Sequence, residues 1–380
     1  MTSQGRAAEV SSPCRSVTQE SSFQEASHQA EKNSSEHDSS RYIEEELLGP
    51  VESDYILGQT IRVHDLRKDV WAKKKNGGER VTITLRTKLT QGSYSDLLYE
   101  INREVEILCK LHHPNLAHFY KMEESGINFG IIFKNLPGGS LWDYIQERKS
   151  LQEHEARELF AHLISGVGYL QKVGVIHYLI RPKNLLLDEH CRLVIHNFIL
   201  ARTFYPNNLL PKKGNDNPIN GTMPEALVQE SGYQFLQELM LERNGDSTYI
   251  APEILGDSPY PAANVDIWSC GLVLYEMLTG FIFRTGPTEI QSAESLTYNN
   301  IKSDARPLFE RLLVRDPKKR ADVREIAGHA WLSQYVSVLD FVTSRSTTAR
   351  DIEQFFINYG NNPIPSGMVL CIPNRTNSVS

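Results

Sequence analysis

The sequence predicts an α+β protein with two lobes, because strand-like segments dominate its first part and helix-like segments dominate its second. Runs rich in β-branched and aromatic residues at 81–85 and 129–133 are typical of strands. Apolar residues at helical spacing predict a helix at 98–111, and a turn at 137–140 leads into a helical segment at 141–148. Four further helical patterns follow, at residues 153–173, 263–279, 304–314 and 323–333.

The composition is that of an ordinary globular chain. Its 380 residues are 40% hydrophobic and 23% charged, which suits a sizeable buried core and excludes a collagen-like, wholly disordered or membrane-spanning chain. The formal net charge of −7 gives no reason to expect nucleic acid. The longest apolar stretch, 267–278, is too short and too polar to cross a bilayer. We therefore expect no nucleic-acid or membrane partner, and a cytoplasmic location with the nucleus as the alternative.

The chain divides into three parts by composition. Its first 40 residues contain 11 serines and almost no large apolar residues, so they cannot bury enough surface to offset their ordering entropy. The predicted parts are a disordered serine-rich tail at 1–45, a folded domain at 55–335 and a C-terminal tail with a short helix at 336–380. Within the domain, we expect the small lobe at 55–135 and the large lobe at 136–335.

Eight short motifs occur in order along this domain. They are REVEIL at 103–108, LHHPNL at 111–116, VIH at 175–177, RPKNLLLD at 181–188, TYIAPE at 248–253, DIWSCG at 266–271, RDPKKR at 315–320 and HAWL at 329–332. In type, order and spacing they resemble the eukaryotic protein kinase domain, and this resemblance implies the bilobal kinase fold. Their wording is closest to the Ser/Thr calcium/calmodulin-dependent and sucrose-nonfermenting branch. The VTIT strand motif at 81–84 also resembles, weakly and locally, the sterile-20-related adaptor pseudokinases.

Three positions that carry charge in active kinases are changed. The resemblance places Thr84 at the lysine that anchors the phosphates, Leu179 at the aspartate that accepts the substrate's proton, and Asn197 at a metal-binding aspartate. Leucine accepts no proton, and asparagine offers magnesium no negative charge. Asn184 matches a second metal ligand and is predicted to be vestigial, with metal binding and capping of the loop backbone both open as its role. The resemblance therefore implies no catalytic residue and no metal site.

A vestigial nucleotide pocket is predicted on the same basis. Its residues are Arg62, Thr82, Glu104, Phe133 and Leu186. Arg62, His64 and Arg67 stand where the resemblance expects the glycines of a phosphate-binding loop, and their side chains would crowd the phosphates.

The change at Thr84 leaves Glu104 without its expected lysine partner. Arg86 and Lys88 follow on the same face of the strand at a spacing of two, so either could reach Glu104. The segment 197–253 is longer than an ordinary activation segment, and we expect its surplus, which includes a helical stretch at 224–243, to cover the substrate groove or to dock a partner.

The residues that support the kinase fold are retained. Leu108, Phe119, His177 and Phe198 match a stack of side chains that links the two lobes, and Asp266 matches its anchor. Glu253 and Arg320 match a buried ion pair of the large lobe. The alternative interpretation is that the apolar members are simply core residues.

Because the chemical positions are changed and the supports are kept, the sequence predicts a pseudokinase that is not an enzyme. It would act as a scaffold or allosteric regulator of protein partners, such as an active kinase, and would require no cofactor, although ATP could bind without magnesium. The alternative is an unconventional Ser/Thr kinase or ATP-binding protein with very weak, magnesium-independent nucleotide binding. A third alternative is another transferase chemistry on the same fold.

Overall fold

A five-stranded antiparallel sheet forms the N-terminal part of the molecule. The computed structural model describes residues 54–64, 67–88, 94–125, 128–203, 248–255, 263–282 and 304–335. The strands are β1 (Tyr55–His64), β2 (Arg67–Lys74), β3 (Arg80–Thr87), β4 (Phe119–Glu124) and β5 (Asn128–Lys134). They lie in the order β1-β2-β3-β5-β4. The predicted strands at 81–85 and 129–133 are thus β3 and β5, each one or two residues longer than predicted at its ends.

One helix, α1 (Tyr94–Leu108), accompanies the sheet. Its residues Leu97, Ile101, Val105 and Leu108 recur at intervals of three or four and are all buried, so they form one apolar face. This face belongs to the same hydrophobic core as Phe129 and other residues of β5. The predicted helix at 98–111 is therefore present, but it begins and ends earlier in the chain.

Helices form the larger C-terminal part. They are α2 (Leu141–Arg148), α3 (Glu153–Lys172), α4 (Asn264–Thr279), α5 (Arg306–Leu312) and α6 (Val323–Ala327). Helix α4 is buried along almost its whole length, as expected for a helix that is apolar on all sides. Gly271 lets it approach its neighbour closely, since a Cβ atom there would lie 2.7 Å from the Leu313 side chain.

The last predicted helix is shorter than expected. Asp322 caps α6 by accepting hydrogen bonds from the backbone N–H groups of Arg324 and Glu325. The helix ends at Gly328, and a separate 3₁₀ segment, Ala330–Tyr335, follows. The pattern at 323–333 therefore covers two elements, because the apolar spacing continues across the break.

The described residues include four short strands that were not predicted from the sequence. They are β6 (Val175–Ile176), β7 (Leu185–Leu187), β8 (Leu193–Ile195) and β9 (Arg202–Thr203). β6 pairs with β9 and β7 with β8, and a 3₁₀ turn at Pro182–Asn184 lies between β6 and β7. These pairings bring the turn and the residues after β8 to the surface that faces β1–β3.

The predicted α+β fold, with a sheet before a helical region, is confirmed. None of the described helices combines the length and the apolar composition needed to cross a bilayer. The tail at 1–45, the stretch at 224–243 and the C-terminal part at 336–380 lie outside the described residues, as does most of the segment 197–253. The division into a domain at 55–335 with lobes at 55–135 and 136–335 stays a prediction.

Candidate functional site

We call the space between the β1–β2 hairpin and the segments around Lys183 and Asn197 the cleft. Two arginines of the hairpin reach across it. Arg62, on β1, donates from Nη1 to the carbonyl oxygen of Lys183 at 2.7 Å. Arg67, the first residue of β2, donates from Nη1 to Oδ1 of Asn197 at 2.5 Å. Arg67 is buried, and the side chain of Arg62 is only 15% exposed. The hairpin is therefore joined to the helical region by guanidinium groups.

A buried carboxylate on β2 balances part of this charge. Asp69 is fully buried and lies 3.2 Å from Nη2 of Arg62. Burial pushes the pKa of Asp69 upward, but Arg67 and Arg62 outweigh burial, so its pKa lies below the ordinary value. The cleft thus holds an ionised carboxylate that is fixed between two cations.

Thr84 is bound to that carboxylate. β2 and β3 pair so that Asp69 lies opposite Thr84, and the threonine hydroxyl donates to Oδ1 of Asp69 at 2.7 Å. Thr84 is therefore a buried neutral donor at the position where the resemblance expects a lysine.

Arg86 forms ion pairs with two glutamates of α1. Its guanidinium lies 2.8 Å from Glu100 and 3.8 Å from Glu104, and all three side chains are buried. Burial raises the pKa of Glu104, while Arg86 opposes the rise. Lys88, the other candidate partner, instead donates to Glu124 at 2.6 Å. Glu100 was not predicted as the nearer partner of Arg86, although its spacing of four from Glu104 places both glutamates on one helix face.

The two asparagines predicted as degenerate metal ligands bind each other. Nδ2 of Asn197 donates to Oδ1 of Asn184 at 3.0 Å, and Nδ2 of Asn184 donates to the carbonyl oxygen of Leu179 at 2.9 Å. Both side-chain oxygens already accept a hydrogen bond, since Oδ1 of Asn197 accepts from Arg67. Asn197 has a φ of 70°, a left-handed conformation that asparagine adopts readily.

Leu179 is buried and offers only its backbone to this network. Its N–H donates to Nδ1 of His177 at 3.2 Å, and its carbonyl accepts from Asn184. The preceding residue, Tyr178, has a φ of 62° and donates its N–H to Oδ1 of Asp266 at 2.9 Å. The loop thus keeps its backbone bonds without a carboxylate at position 179.

The predicted base pocket is partly filled by side chains. Thr82 lies opposite Phe133 in the β3–β5 pairing, and its hydroxyl donates to Asn135 at 3.3 Å. The ring of Phe133 packs on His196 with centroids 4.5 Å apart. Leu186 is buried in β7, where it lies opposite Val194 of β8.

His196 was missed by sequence reasoning, although it directly precedes Asn197. Burial lowers its pKa to about 3, against a smaller rise from Asp69, so the imidazole is neutral. Neither of its ring nitrogens has a hydrogen-bond partner among the described residues. Its electrostatic coupling to Asp69, Arg62 and Arg67 places it beside the charged group of the cleft.

The predicted stack of side chains is partly assembled. The rings of His177 and Phe198 meet edge to face at 4.8 Å. Asp266 accepts the backbone N–H of His177 at 2.8 Å, which fixes the loop on α4. Leu108 is buried in the same core, and Phe119 is partly buried against it.

The predicted ion pair of the helical region is present. Arg320 binds Glu253 through both terminal nitrogens, at 2.6 and 2.8 Å. Arg320 also donates to the carbonyl oxygens of Val314 and Asn264. This two-pronged geometry is the strong form of an arginine–carboxylate pair.

The protein kinase domain model matches residues 70–332. The chain belongs to the protein kinase family. The family model begins within β2 and runs through the helical region, so it includes Thr84, Lys183 and Asn197, whereas Arg62, Arg67 and Asp69 lie before it.

Relatives of this kinase-family chain include serine/threonine enzymes of fungi and plants. It is 30% identical to serine/threonine-protein kinase KIN4 of Saccharomyces cerevisiae, over 75% of this chain and 34% of the relative. It is 28% identical to the SNF1-related protein kinase catalytic subunit alpha KIN12 of Arabidopsis thaliana, over 81% of this chain and 58% of the relative. It is 29% identical to CBL-interacting protein kinase 16 of Oryza sativa subsp. japonica, over 74% of this chain and 57% of the relative. The chain therefore spans less than two thirds of each relative's length.

These relatives correct the prediction that the chain is not an enzyme. That prediction rested on Thr84, Leu179 and Asn197 together with the missing glycines of the phosphate-binding loop, whereas the matching relatives are named as protein kinases. The three residues are departures within a family of enzymes, and they do not establish inactivity. The predicted likeness to sucrose-nonfermenting kinases agrees with the SNF1-related relative, and the local likeness to adaptor pseudokinases stays a prediction.

The residues of the cleft do not fit magnesium, which the kinase family uses with ATP. A guanidinium nitrogen of Arg67 lies 2.5 Å from the amide oxygen of Asn197 that would ligate the metal, so a dication would meet a fixed cation. No cluster of three or more acidic, histidine or cysteine side chains suited to a metal occurs in the described ranges. A phosphate anion fits better, because Nε of Arg62 and Nη2 of Arg67 have no hydrogen-bond partner among the described residues.

Proposed function

We propose that this chain is an unconventional member of the serine/threonine protein kinase family that binds ATP through arginine side chains rather than through magnesium. The observation that carries the proposal is the contact between Arg67 and Asn197, which places a guanidinium at the metal-binding position. An arginine presents planar N–H donors that match phosphate oxygens and stays ionised in the cell.

The charge of the cleft supports phosphate binding. Arg62 and Arg67 carry two positive charges, and Asp69 carries one negative charge, so this group has a net charge of +1. Arg86 is not available to bind phosphate, because its guanidinium pairs with Glu100 and lies near Glu104 on α1. A buried N–H without a partner costs about 1–3 kcal/mol, so a phosphate oxygen that accepts from Arg62 or Arg67 would recover part of that cost.

Phosphoryl transfer to a serine or threonine hydroxyl is the reaction that the relatives' names suggest. In this chain the hydroxyl would meet Leu179 instead of a carboxylate, so its proton has no side-chain acceptor there. A positioned general base typically contributes about 10²–10⁴-fold to a rate. We therefore propose that transfer by this chain is slow and that nucleotide binding is its stronger property.

The test measures ATP binding by the full chain in two buffers, one with magnesium chloride and one with EDTA. Calorimetry gives the affinity, and the thermal unfolding midpoint gives a second measure of it. A ligand that binds only the folded state raises that midpoint according to its affinity. We expect the same affinity in both buffers, and an affinity about tenfold or more weaker for Arg67→Gln, because a bond from a cation to phosphate contributes about 1.5–3 kcal/mol. Lys68→Gln is the matched control, since Lys68 is the exposed neighbour on the same strand.

Two results would contradict the proposal. One is ATP binding that appears only with magnesium, and the other is a folded Arg67→Gln variant that binds as tightly as Lys68→Gln. If Arg67→Gln does not fold, the comparison of the two buffers with the unaltered chain still decides. A transfer assay with labelled ATP and a mixture of serine and threonine peptides gives the rate, and a rate typical of kinases would overturn the assignment of slow transfer.

Binding to protein partners, such as an active kinase, is a second part of the proposal. It is supported by the retained contacts between His177, Phe198 and Asp266, which hold the loop that carries His177 on α4 in one arrangement that a partner can recognise. The arginine contacts across the cleft add to this rigidity. A test is the effect of the full chain on the rate of a co-purified kinase, and no binding at micromolar concentration of either protein would count against the role.

A further inference from the structure

A cavity of about 300 Å³ lies at the end of β5, beside the connection from β5 to α2, and none of the arginines and asparagines of the cleft lines it. Three stretches of chain line it: the connection between α1 and β4, the end of β5 with the residues after it, and the β7–β8 hairpin. The lining residues are His112, His113, Pro114, Leu116, His118, Lys134, Leu136, Asp188, Arg192 and Val194. The volume is at the lower end for ligand sites, which suits one side chain with its head group better than a nucleotide.

Cationic and protonatable groups outnumber acids around this cavity. His112, His118, Lys134 and Arg192 are exposed at its walls. Among the described residues of the lining, Asp188 is the one carboxylate, and it is already engaged: Oδ2 accepts from Arg192 at 2.7 Å. Its other oxygen accepts two backbone N–H groups of the β7–β8 turn. The cavity therefore offers an entering anion several donors and no spare acid.

Lys134 can turn toward the cavity at little cost. It pairs with Glu189 at 3.2 Å, but the two side chains are 45% and 42% exposed. Ion pairs that are exposed to this degree contribute about 0–1 kcal/mol. An anion inside the cavity can therefore compete with Glu189 for the ammonium group.

Two histidines stand together at the mouth. The rings of His112 and His118 meet edge to face with centroids 5.9 Å apart. Burial lowers the pKa of His118, and the neighbouring His112 and Lys134 lower it further. A bound anion would reverse that effect and would favour the protonated imidazole.

We infer that this cavity binds a phosphate monoester, namely the phosphorylated serine or threonine side chain of a partner protein. The phosphate oxygens would accept from His118, His112 and Lys134. The aliphatic part of the ligand would lie on Pro114 and Leu136. The site is separate from the cleft, so it stands whether or not the chain binds ATP.

The test is a titration of the full chain, carrying isotope-labelled histidine, with O-phosphoserine and with a phosphoserine peptide. The imidazole signals of His112 and His118 are followed by NMR and are assigned with the variants His112→Gln and His118→Gln. We expect both signals to move on titration, and the affinity to fall about three- to fivefold in Lys134→Gln, as for the loss of one partly exposed charge. Lys110→Gln is the matched control, because Lys110 lies just before the same connection and is absent from the cavity lining.

Repeating the titration in Arg67→Gln separates this site from the cleft. If the signals move as before in that variant, the anion is bound at the end of β5. No movement at millimolar O-phosphoserine, or equal losses in Lys134→Gln and Lys110→Gln, would overturn the inference. Equal binding of an unphosphorylated glutamate peptide would also overturn it, since the site would then recognise carboxylates in general.

Discussion

The helical region and the cleft differ in how their buried charged side chains are paired. In the helical region, Arg320 binds Glu253 with two hydrogen bonds, in the pairing that the kinase family leads one to expect. In the cleft, the expected lysine–glutamate pair is absent, and Glu104 is approached by Arg86, two residues further along β3. The positive charge that approaches Glu104 is therefore still on β3, but it lies two residues after the position where the lysine is expected.

The same displacement occurs on β2. Asp69 lies opposite Thr84, so the polar group that faces the threonine comes from the neighbouring strand rather than from α1. Arg67 reaches Asn197 from the start of that strand. The difference between the two regions shows that a fold can keep the charges that support it while rearranging the charges that meet its ligand.

The largest expected effect comes from breaking the ion pair of the helical region. Arg320→Met would leave Glu253 buried without its guanidinium partner, which costs about 3–5 kcal/mol of unfolding free energy. The measurement is denaturant unfolding of the full chain followed by circular dichroism.

Arg311→Met serves as the control for that variant. Arg311 pairs with Glu325 at 2.9 Å, but both side chains are about half exposed, so the loss should stay below about 1 kcal/mol. If the two variants unfolded at the same denaturant concentration, the ion pair of Arg320 would not support the fold as argued.

A smaller effect is expected in the cleft from Thr84→Val. This change removes the hydroxyl that donates to a buried, ionised Asp69, and a bond of that kind contributes about 1.5–3 kcal/mol. Thr82→Val is the matched control, because Thr82 lies two residues earlier on β3 and binds the neutral Asn135 at 3.3 Å, where a contribution of about 0.5–1.5 kcal/mol is expected. Denaturant unfolding measures both, and a larger loss in Thr82→Val would mean that Asp69 does not depend on Thr84.

Much of the fold could be predicted because it depends on local patterns. The alternation of β3 and the apolar spacing of α1 and α3 are properties of consecutive residues. The period of two on β3 likewise predicted that Arg86 or Lys88 could reach Glu104, because residues at that spacing share a strand face, and Arg86 is the one that does.

The side-chain contacts within the cleft could not be predicted in the same way. Asp69 meets Thr84 only through the register of β2 on β3, and Arg67 meets Asn197 across 130 residues of chain. Neither contact leaves a periodic trace in the sequence. The short strands β6 to β9 were missed for a related reason, since two or three residues are too few to display a pattern.

The smallest effect concerns a histidine of the helical region, where burial has little help from other charges. His162 lies on α3, and burial lowers its pKa to about 4, with minor and opposite effects of Asp188 and Arg192. In the unfolded chain the pKa is about 6.5, so the unfolded state binds more protons as the pH falls and the fold loses stability below that pH. Between pH 7 and pH 5.5 this histidine should account for roughly 1 kcal/mol of lost unfolding free energy.

His162→Gln should remove that part of the pH dependence, because glutamine does not titrate in this range. Unfolding free energies of the variant and of the unaltered chain at the two pH values give the difference directly. His190→Gln is the control for the loss of an imidazole at the surface, since His190 is exposed on the β7–β8 turn. If the His162→Gln variant lost as much unfolding free energy between the two pH values as the unaltered chain, burial of His162 would not be the source of this pH dependence.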